Sequence, residues 1–291
     1  MFSGSIPALV TPFCDGAFSE KHFRALIDWQ IEQGSNALVP AGTTGEASTL
    51  SNAEHHRVIE VCIEQAAGRV PVIAGCGSND TNNAILHLNF SKKSGAAAGL
   101  VVAPYYNRPN QEGIYAHFEA MTKKNDLPIV LYNVPARTVT DIKPETVARL
   151  AQLPTVIGIK DASGDMPRVT DHRLACGPDF CLLSGVDEQS LAFNAAGGRG
   201  CISVTANVAP KLCAEFQAAC ASGDYDLARD LNDKLYPLHL ALFSDASPGP
   251  IKYALSRVIE GFPAELRLPM TPPSEASRRQ VDAALENAGL I

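Results

Sequence analysis

Short β-rich runs alternate with amphipathic segments eight times in roughly the first 220 residues, and few architectures accept that pattern. The runs are Ile6–Pro12, Ala37–Ala41, Val70–Gly75, Leu100–Pro104, Ile129–Asn133, Val156–Lys160, Phe180–Ser184 and Cys201–Thr205. Between them, stretches such as Glu20–Gln33, Ala53–Ala67, Asp80–Ser94, Gln111–Lys124 and Lys143–Gln152 repeat apolar residues at helical spacing. Strand–helix–strand order implies parallel pairing, so the chain is expected to be α/β, a closed (β/α)8 TIM barrel in preference to an open doubly wound sheet. The open sheet usually carries a Gly-x-Gly-x-x-Gly turn after its first strand, where this chain reads Thr11-Pro12-Phe13-Cys14-Asp15-Gly16. After Gly223 the runs stop, and Tyr225–Phe243, Ile251–Glu260 and Ser274–Ala288 read as helices separated by prolines. The expected organisation is a barrel of residues 1–222 followed by a C-terminal helical segment of residues 223–291.

Composition narrows the partners. A formal net charge of −7 disfavours a nucleic-acid or anionic-membrane surface, because either needs clustered Lys and Arg. No apolar run approaches the ~20 residues that a membrane span requires. The eight cysteines include no Cys-x-x-Cys pair and mostly lie in apolar segments, as expected for reduced core residues in a cytoplasmic protein. Met1 to Val10 lacks a basic start followed by a long apolar stretch, which also points to an unsecreted protein.

The residue with most chemical promise is Lys160, at the end of the apolar run Val156-Ile157-Gly158-Ile159. Burial disfavours the ammonium form, and the free amine can attack a carbonyl. Side chains alternate along a strand, so Val156, Gly158 and Lys160 are expected on one face and Ile157 and Ile159 on the other. A lysine capping a buried strand and reaching for water is the other reading of this segment.

Reactive groups in such a barrel collect at the carboxyl ends of the strands and in the loops that follow. Gly42-Thr43-Thr44-Gly45-Glu46 offers two hydroxyls and several amides to a carboxylate, or is an ordinary glycine-rich turn. Tyr132 shares a strand face with Val130; if that face points inward, its phenol meets the Lys160 amine in the barrel mouth and can shuttle protons. Tyr106 follows the fourth run, and Arg137, beyond the fifth, offers a planar fork for a carboxylate or a surface ion pair of little value. Gly185 leaves room beside the seventh strand; Gly197 to Gly200 suit a tight turn. His55 and His56 are adjacent on a helix and point to different sides, so no metal site is expected.

Together, Gly42-Thr43-Thr44-Gly45-Glu46, Tyr105-Tyr106-Asn107-Arg108-Pro109, Tyr132-Asn133-Val134-Pro135 and Ile157-Gly158-Ile159-Lys160-Asp161 resemble the dihydrodipicolinate synthase family. That family lies within the pyruvate-dependent class I aldolases, which include N-acetylneuraminate lyase. The resemblance spans nearly the whole chain. It implies that Lys160 forms a Schiff base with pyruvate, with no external cofactor and no metal, while Tyr132 donates and accepts protons in a relay with Thr43 and Tyr106. It further implies that Thr44 and the Ile202 backbone contact pyruvate, that Gly185 lines the pocket, and that Arg137 holds the carboxylate of the second substrate. The tyrosine matching Tyr106 reaches in from a neighbouring subunit in the family, so a homo-oligomer, commonly a dimer of dimers, is implied.

The implied activity condenses pyruvate with L-aspartate 4-semialdehyde in the diaminopimelate branch of lysine biosynthesis. A 2-keto-3-deoxy sugar acid or N-acetylneuraminate as substrate, or a barrel that binds small molecules without chemistry, are the competing readings. The chain departs from the family pattern at Val139, often glycine, and at Ser247-Pro248-Gly249-Pro250-Ile251-Lys252. The positions matching the family's lysine-inhibition pocket hold Ala47, Ser48, Asn52, His55, Asn79, Asn83 and Tyr105. Asn52 replaces a histidine and Asn83 an acidic residue, so weak or absent lysine inhibition is expected.

Overall fold

The computed structural model describes residues 1–291. Seven parallel strands follow one another in the order Gly4–Pro7, Gly200–Ser203, Cys181–Ser184, Val156–Asp161, Ile129–Asn133, Ala98–Val102 and Ile73–Gly75. The expected run Ala37–Ala41 closes the ring without becoming a full strand. Ala8 bridges Val39 and Leu38 bridges Val72, both in parallel, and the Leu9 amide donates to the Val39 carbonyl at 2.9 Å. The expected eightfold barrel is thus present, with residues 37–41 joined to their neighbours by isolated bridges.

Alternation along the strands sorts the apolar residues into two layers. Ile6, Val39, Ile73, Leu100, Val130, Tyr132, Leu183 and Ile202 pack together inside the barrel. Leu131, Ile159 and Leu182 point outward, toward helices that include Glu20–Glu32, Asn52–Ala66, Thr81–Ser94 and Gln111–Lys124. One expectation fails at the start of the Lys160 strand. Ile129 pairs with Val156 but Val130 pairs with Gly158, so an extra residue enters this strand opposite its neighbour. Val156 therefore joins the outer layer and Ile157 packs against the inner one. The phase recovers by Ile159, and Lys160 pairs with Tyr132 on one side and Leu183 on the other.

Two further elements lie outside the sequence expectation. The first strand ends at Pro7, short of the expected Pro12, and beyond it Phe13–Cys14 and Ala17–Phe18 form a small antiparallel hairpin. Pro135–Thr138 forms one short helix, begun by a proline at its first turn. The C-terminal helices Tyr225–Ala241, Gly249–Val258 and Glu275–Ala288 place Leu235, Leu238, Ile251, Leu255, Val281 and Leu285 in the same apolar layer as Leu26 and Ile59. No helix is long and apolar enough to cross a membrane, and all eight cysteines are unpaired.

Among the packed helices, His117 links stability to pH. Its Nδ1 shares a hydrogen bond with Thr81 Oγ1 at 2.9 Å, its Nε2 is buried without a partner, and burial pushes its pKa down to about 4. Below pH 6.5 the unfolded chain takes up this proton and the native protein does not, so stability is full above 6.5 and lost as pH falls toward 4. The loss is about 1.4 kcal/mol per pH unit, or roughly 3 kcal/mol across the window. Urea denaturation at pH 7 and pH 5 checks it: His117→Gln should flatten the pH dependence, and an unchanged slope would assign it elsewhere.

Candidate active site

The barrel interior carries Lys160 to the carboxyl end of its strand. The residue is 5% exposed, and its Nζ lies 4.3 Å from the centroid of the Tyr132 ring. Direct pairing of the two residues across adjacent strands sets this approach. Gly185 is required beside them, because a Cβ there would lie 3.0 Å from Lys160 Cε and 2.7 Å from Ala162 Cβ. Ile202, 1% exposed, packs with Tyr132 and Leu183 in the inner layer.

The strand Gly200–Ser203 is held at its end by Asp187, a residue the sequence reading did not single out. The Asp187 carboxylate is 5% exposed; Oδ2 accepts from the Val204 amide at 2.8 Å and Oδ1 accepts from the Ser203 hydroxyl. Its place two residues beyond Gly185 was the only available signal.

Tyr132 also lines a cavity of about 450 Å³, together with Thr43, Val134, Arg137 and Thr138, among others. Thr43 stands exposed and Thr44 buried in the turn that closes over the second strand. That turn is seated closely: a Cβ at Gly75 would meet the Ala41 carbonyl oxygen at 2.1 Å, and the Thr11 hydroxyl donates to the Gly45 carbonyl at 2.7 Å. Ala41 and Glu46, at either end, hold φ near 54°. Such left-handed conformations cost non-glycine residues of order 1–3 kcal/mol and persist only where surroundings enforce them.

Glu46 is not available to a substrate. Its Oε1 pairs with Lys252 Nζ at 2.5 Å, with the two side chains 2% and 0% exposed, and its Oε2 accepts from the Arg267 amide at 3.0 Å. Arg267 also grips the Glu54 carboxylate at 2.6 and 3.1 Å and the Thr49 carbonyl at 3.1 Å. These bonds tie the segment after residue 260 to the threonine turn, and hydrogen bonding to Arg267 lowers the Glu54 pKa to about 2. The stretch Ser247–Lys252, a departure in sequence, thus supplies the lysine beneath the turn.

Arg137 is exposed and makes no ion pair. Among the cavity-lining residues it is the one permanent charge, and no carboxylate accompanies it. An unpaired guanidinium at a concave mouth is suited to a carboxylate ligand. Val139, at φ 60 and 61% exposed, occupies a left-handed position that suits glycine.

Tyr106 is not brought to this group within one chain. It is 91% exposed at φ 73, on a turn held by the Asn107 side-chain amide donating to the Asn79 carbonyl at 2.9 Å. Thr43, Tyr132 and Arg137 share the cavity, with Lys160 and Gly185 at the Tyr132 end; Thr44 and Ile202 are buried nearby in the turn and in the barrel interior.

The cavity extends past Tyr105 to Ser48, Asn52, Asn83, His55 and His87. Burial pushes His55 down to about 3 and His87 to about 4, so both stay neutral near pH 7. His55 and His56 do diverge, with ring centroids 6.0 Å apart, but the adjacent helix brings His87 against both.

The sequence profile of the dihydrodipicolinate synthetase family matches residues 1–288. The chain belongs to that family. A family member from Novosphingobium aromaticivorans, named 4-hydroxy-tetrahydrodipicolinate synthase, is 73% identical over 293 residues, covering 100% of this chain and 99% of the relative. The solved chloride-inhibited dihydrodipicolinate synthase of Acinetobacter baumannii, complexed with pyruvate, is 44% identical, with a TM-score of 0.96 and 100% of both chains covered. Another solved synthase, described as the first monomeric variant, is 39% identical with a TM-score of 0.97, covering 100% of this chain and 98% of its own. These family structures agree with the barrel described above.

Proposed function

We infer that the chain is a pyruvate-dependent lyase of lysine biosynthesis, condensing pyruvate with L-aspartate 4-semialdehyde to 4-hydroxy-tetrahydrodipicolinate. The observation that carries its chemistry is the buried Lys160 amine 4.3 Å from the ring of Tyr132, a residue that lines a cavity whose permanent charge is Arg137. Lys160 Nζ attacks the keto carbon of pyruvate and water leaves, giving an imine. The protonated imine is an electron sink, so a methyl proton is lost and an enamine forms. The methyl carbon of the enamine then bonds to the aldehyde carbon, whose oxygen takes up a proton, and the amino group of the semialdehyde attacks the re-formed imine carbon, displacing Lys160 Nζ and closing the product ring. Because the lysine supplies the sink, this route needs no external cofactor.

In this reading Tyr132 passes the protons that imine formation and release require, relayed through Thr43 and the Tyr106 of a neighbouring copy. The exposure of Tyr106 supports a homo-oligomer, a dimer of dimers, although one relative is described as monomeric. Thr44, the Ile202 backbone and Gly185 shape the pyruvate side, and Arg137 receives the carboxylate of the aldehyde. Cytoplasmic localisation belongs to the same proposal. So does a division into a barrel of residues 1–222 and a helical segment of residues 223–291, supported by left-handed Gly223 at the end of the helix Pro210–Ser222.

Turnover with pyruvate and aspartate semialdehyde, compared with 2-keto-3-deoxy sugar acids and N-acetylneuraminate, tests the acceptor. Higher kcat/KM for a sugar acid would overturn it. Tyr132→Phe keeps the ring and removes the hydroxyl, and should lower kcat by ~10²–10⁴-fold, as loss of a general acid–base does. A drop in kcat of less than tenfold would remove Tyr132 from the relay.

L-lysine should inhibit weakly or not at all. Asn52 and Asn83 bond to one another at 3.3 Å, and the cavity has no carboxylate for an ammonium group. A micromolar inhibition constant would contradict this.

A further inference from the structure

Between the helices Asn52–Ala66 and Thr81–Ser94, three imidazoles converge with no role in the chemistry above. His56 Nε2 faces His87 Nδ1 at 3.2 Å, and a ring nitrogen from each of His55, His56 and His87 lies within 4.8 Å of the others. Two nitrogens bound to one tetrahedral zinc at ~2.1 Å stand about 3.4 Å apart, so the His56–His87 pair already has the separation of co-ligands. The third nitrogen needs to close by at most about 1.4 Å, within reach of a side-chain rotation.

The surroundings point to a ligand as well. His55 is 5% exposed and its Nδ1 is buried with no hydrogen-bond partner, which leaves a lone pair or a proton unsatisfied. His87 is 4% exposed, and the half-buried His56 ring is fixed by stacking on Phe90 at 3.8 Å with the planes 3° apart. His55 and His87 both line the cavity, which gives an ion a route of entry from solvent. A magnesium or calcium site would need oxygen ligands, whereas three imidazoles select late first-row divalent metals.

We propose that His55, His56 and His87 form a three-imidazole binding site for a late first-row divalent cation, Zn²⁺ foremost. The helices Asn52–Ala66 and Thr81–Ser94 each contribute to it, so the bound ion cross-links them and raises thermal stability. The site stands independently of the synthase reading, because its test measures binding.

The experiment titrates the full-length, chelator-stripped protein with Zn²⁺ by calorimetry and with Co²⁺ by visible absorption. One ion per chain is expected, with the intense visible bands of low-coordinate Co²⁺ and a higher melting temperature in Zn²⁺. His87→Gln and the half-buried His56→Gln should each weaken binding at least tenfold, while His22→Gln, outside the cluster, should leave it unchanged. Absence of Co²⁺ bands, or equal affinity in the two cluster variants and the parent, would overturn the site. Circular dichroism of each variant separates loss of ligand from loss of fold.

Discussion

Replacing Lys160 with alanine should lower kcat by at least ~10³-fold, the scale on which removal of a covalent nucleophile acts. The same change should abolish trapping of pyruvate by borohydride, read as a mass increase on the peptide containing residue 160 in the parent protein. Fold is expected to survive, because the substitution removes a buried amine and leaves the neighbouring Tyr132 and Leu183 pairings on the strand in place. Lys160→Arg separates two roles: it keeps a long nitrogen-bearing side chain near the Tyr132 ring but presents no amine able to form an imine, so it should be as inactive as alanine. Substantial turnover in either variant, or trapping on another lysine, would remove the nucleophile from the mechanism.

Breaking the Lys252–Glu46 pair should destabilise the protein by about 3–5 kcal/mol, the cost of leaving one charge buried without its partner. The pair earns this expectation from its burial: the side chains are 0% and 2% exposed, Nζ also donates to the Glu265 carbonyl at 2.7 Å, and it sits 4.3 Å from the Phe13 ring. Lys252→Met strands the Glu46 carboxylate and Glu46→Gln strands the ammonium, so each should lower the urea midpoint. The double variant should recover part of the loss, since neither charge then remains unpaired. Glu46 closes the threonine turn, so kcat should fall in the single variants even at temperatures where they are fully folded. A stability loss of only about a few tenths of a kcal/mol in the single variants would mean that the pair contributes little.

The barrel was legible because its signal is local. Each β-rich run and each amphipathic stretch carries its own period, and the observed strand Ile129–Asn133 and helix Gln111–Lys124 coincide with their expected bounds. Boundaries slipped where long-range pairing decides them. Residues 37–41 make only the isolated bridges Ala8–Val39 and Leu38–Val72, a shortfall in pairing that their own β-rich pattern does not reveal. The Val156–Ile157 inversion arises from a register shift against Ile129–Val130, which no alternation within one strand reveals. The hairpin at Phe13 to Phe18 was hidden in a run of two-residue strands too short to carry a period.

At the site, sequence by itself determined the residue types and their order: an amine at a strand end, a phenol on the neighbouring strand, a threonine turn and an arginine beyond. Alternation along an extended strand put Tyr132 and Val130 on one face, and the closed ring made that face the inner one. Only the tertiary structure decided which groups are spent and which are free. Glu46 is consumed by Lys252 and Arg267 from more than two hundred residues away, Arg137 is left unpaired at the cavity, and His87 is carried against His55 and His56 by helix packing. Pairing and desolvation depend on distances in space that local sequence does not encode, and those distances exist only once the ring has closed.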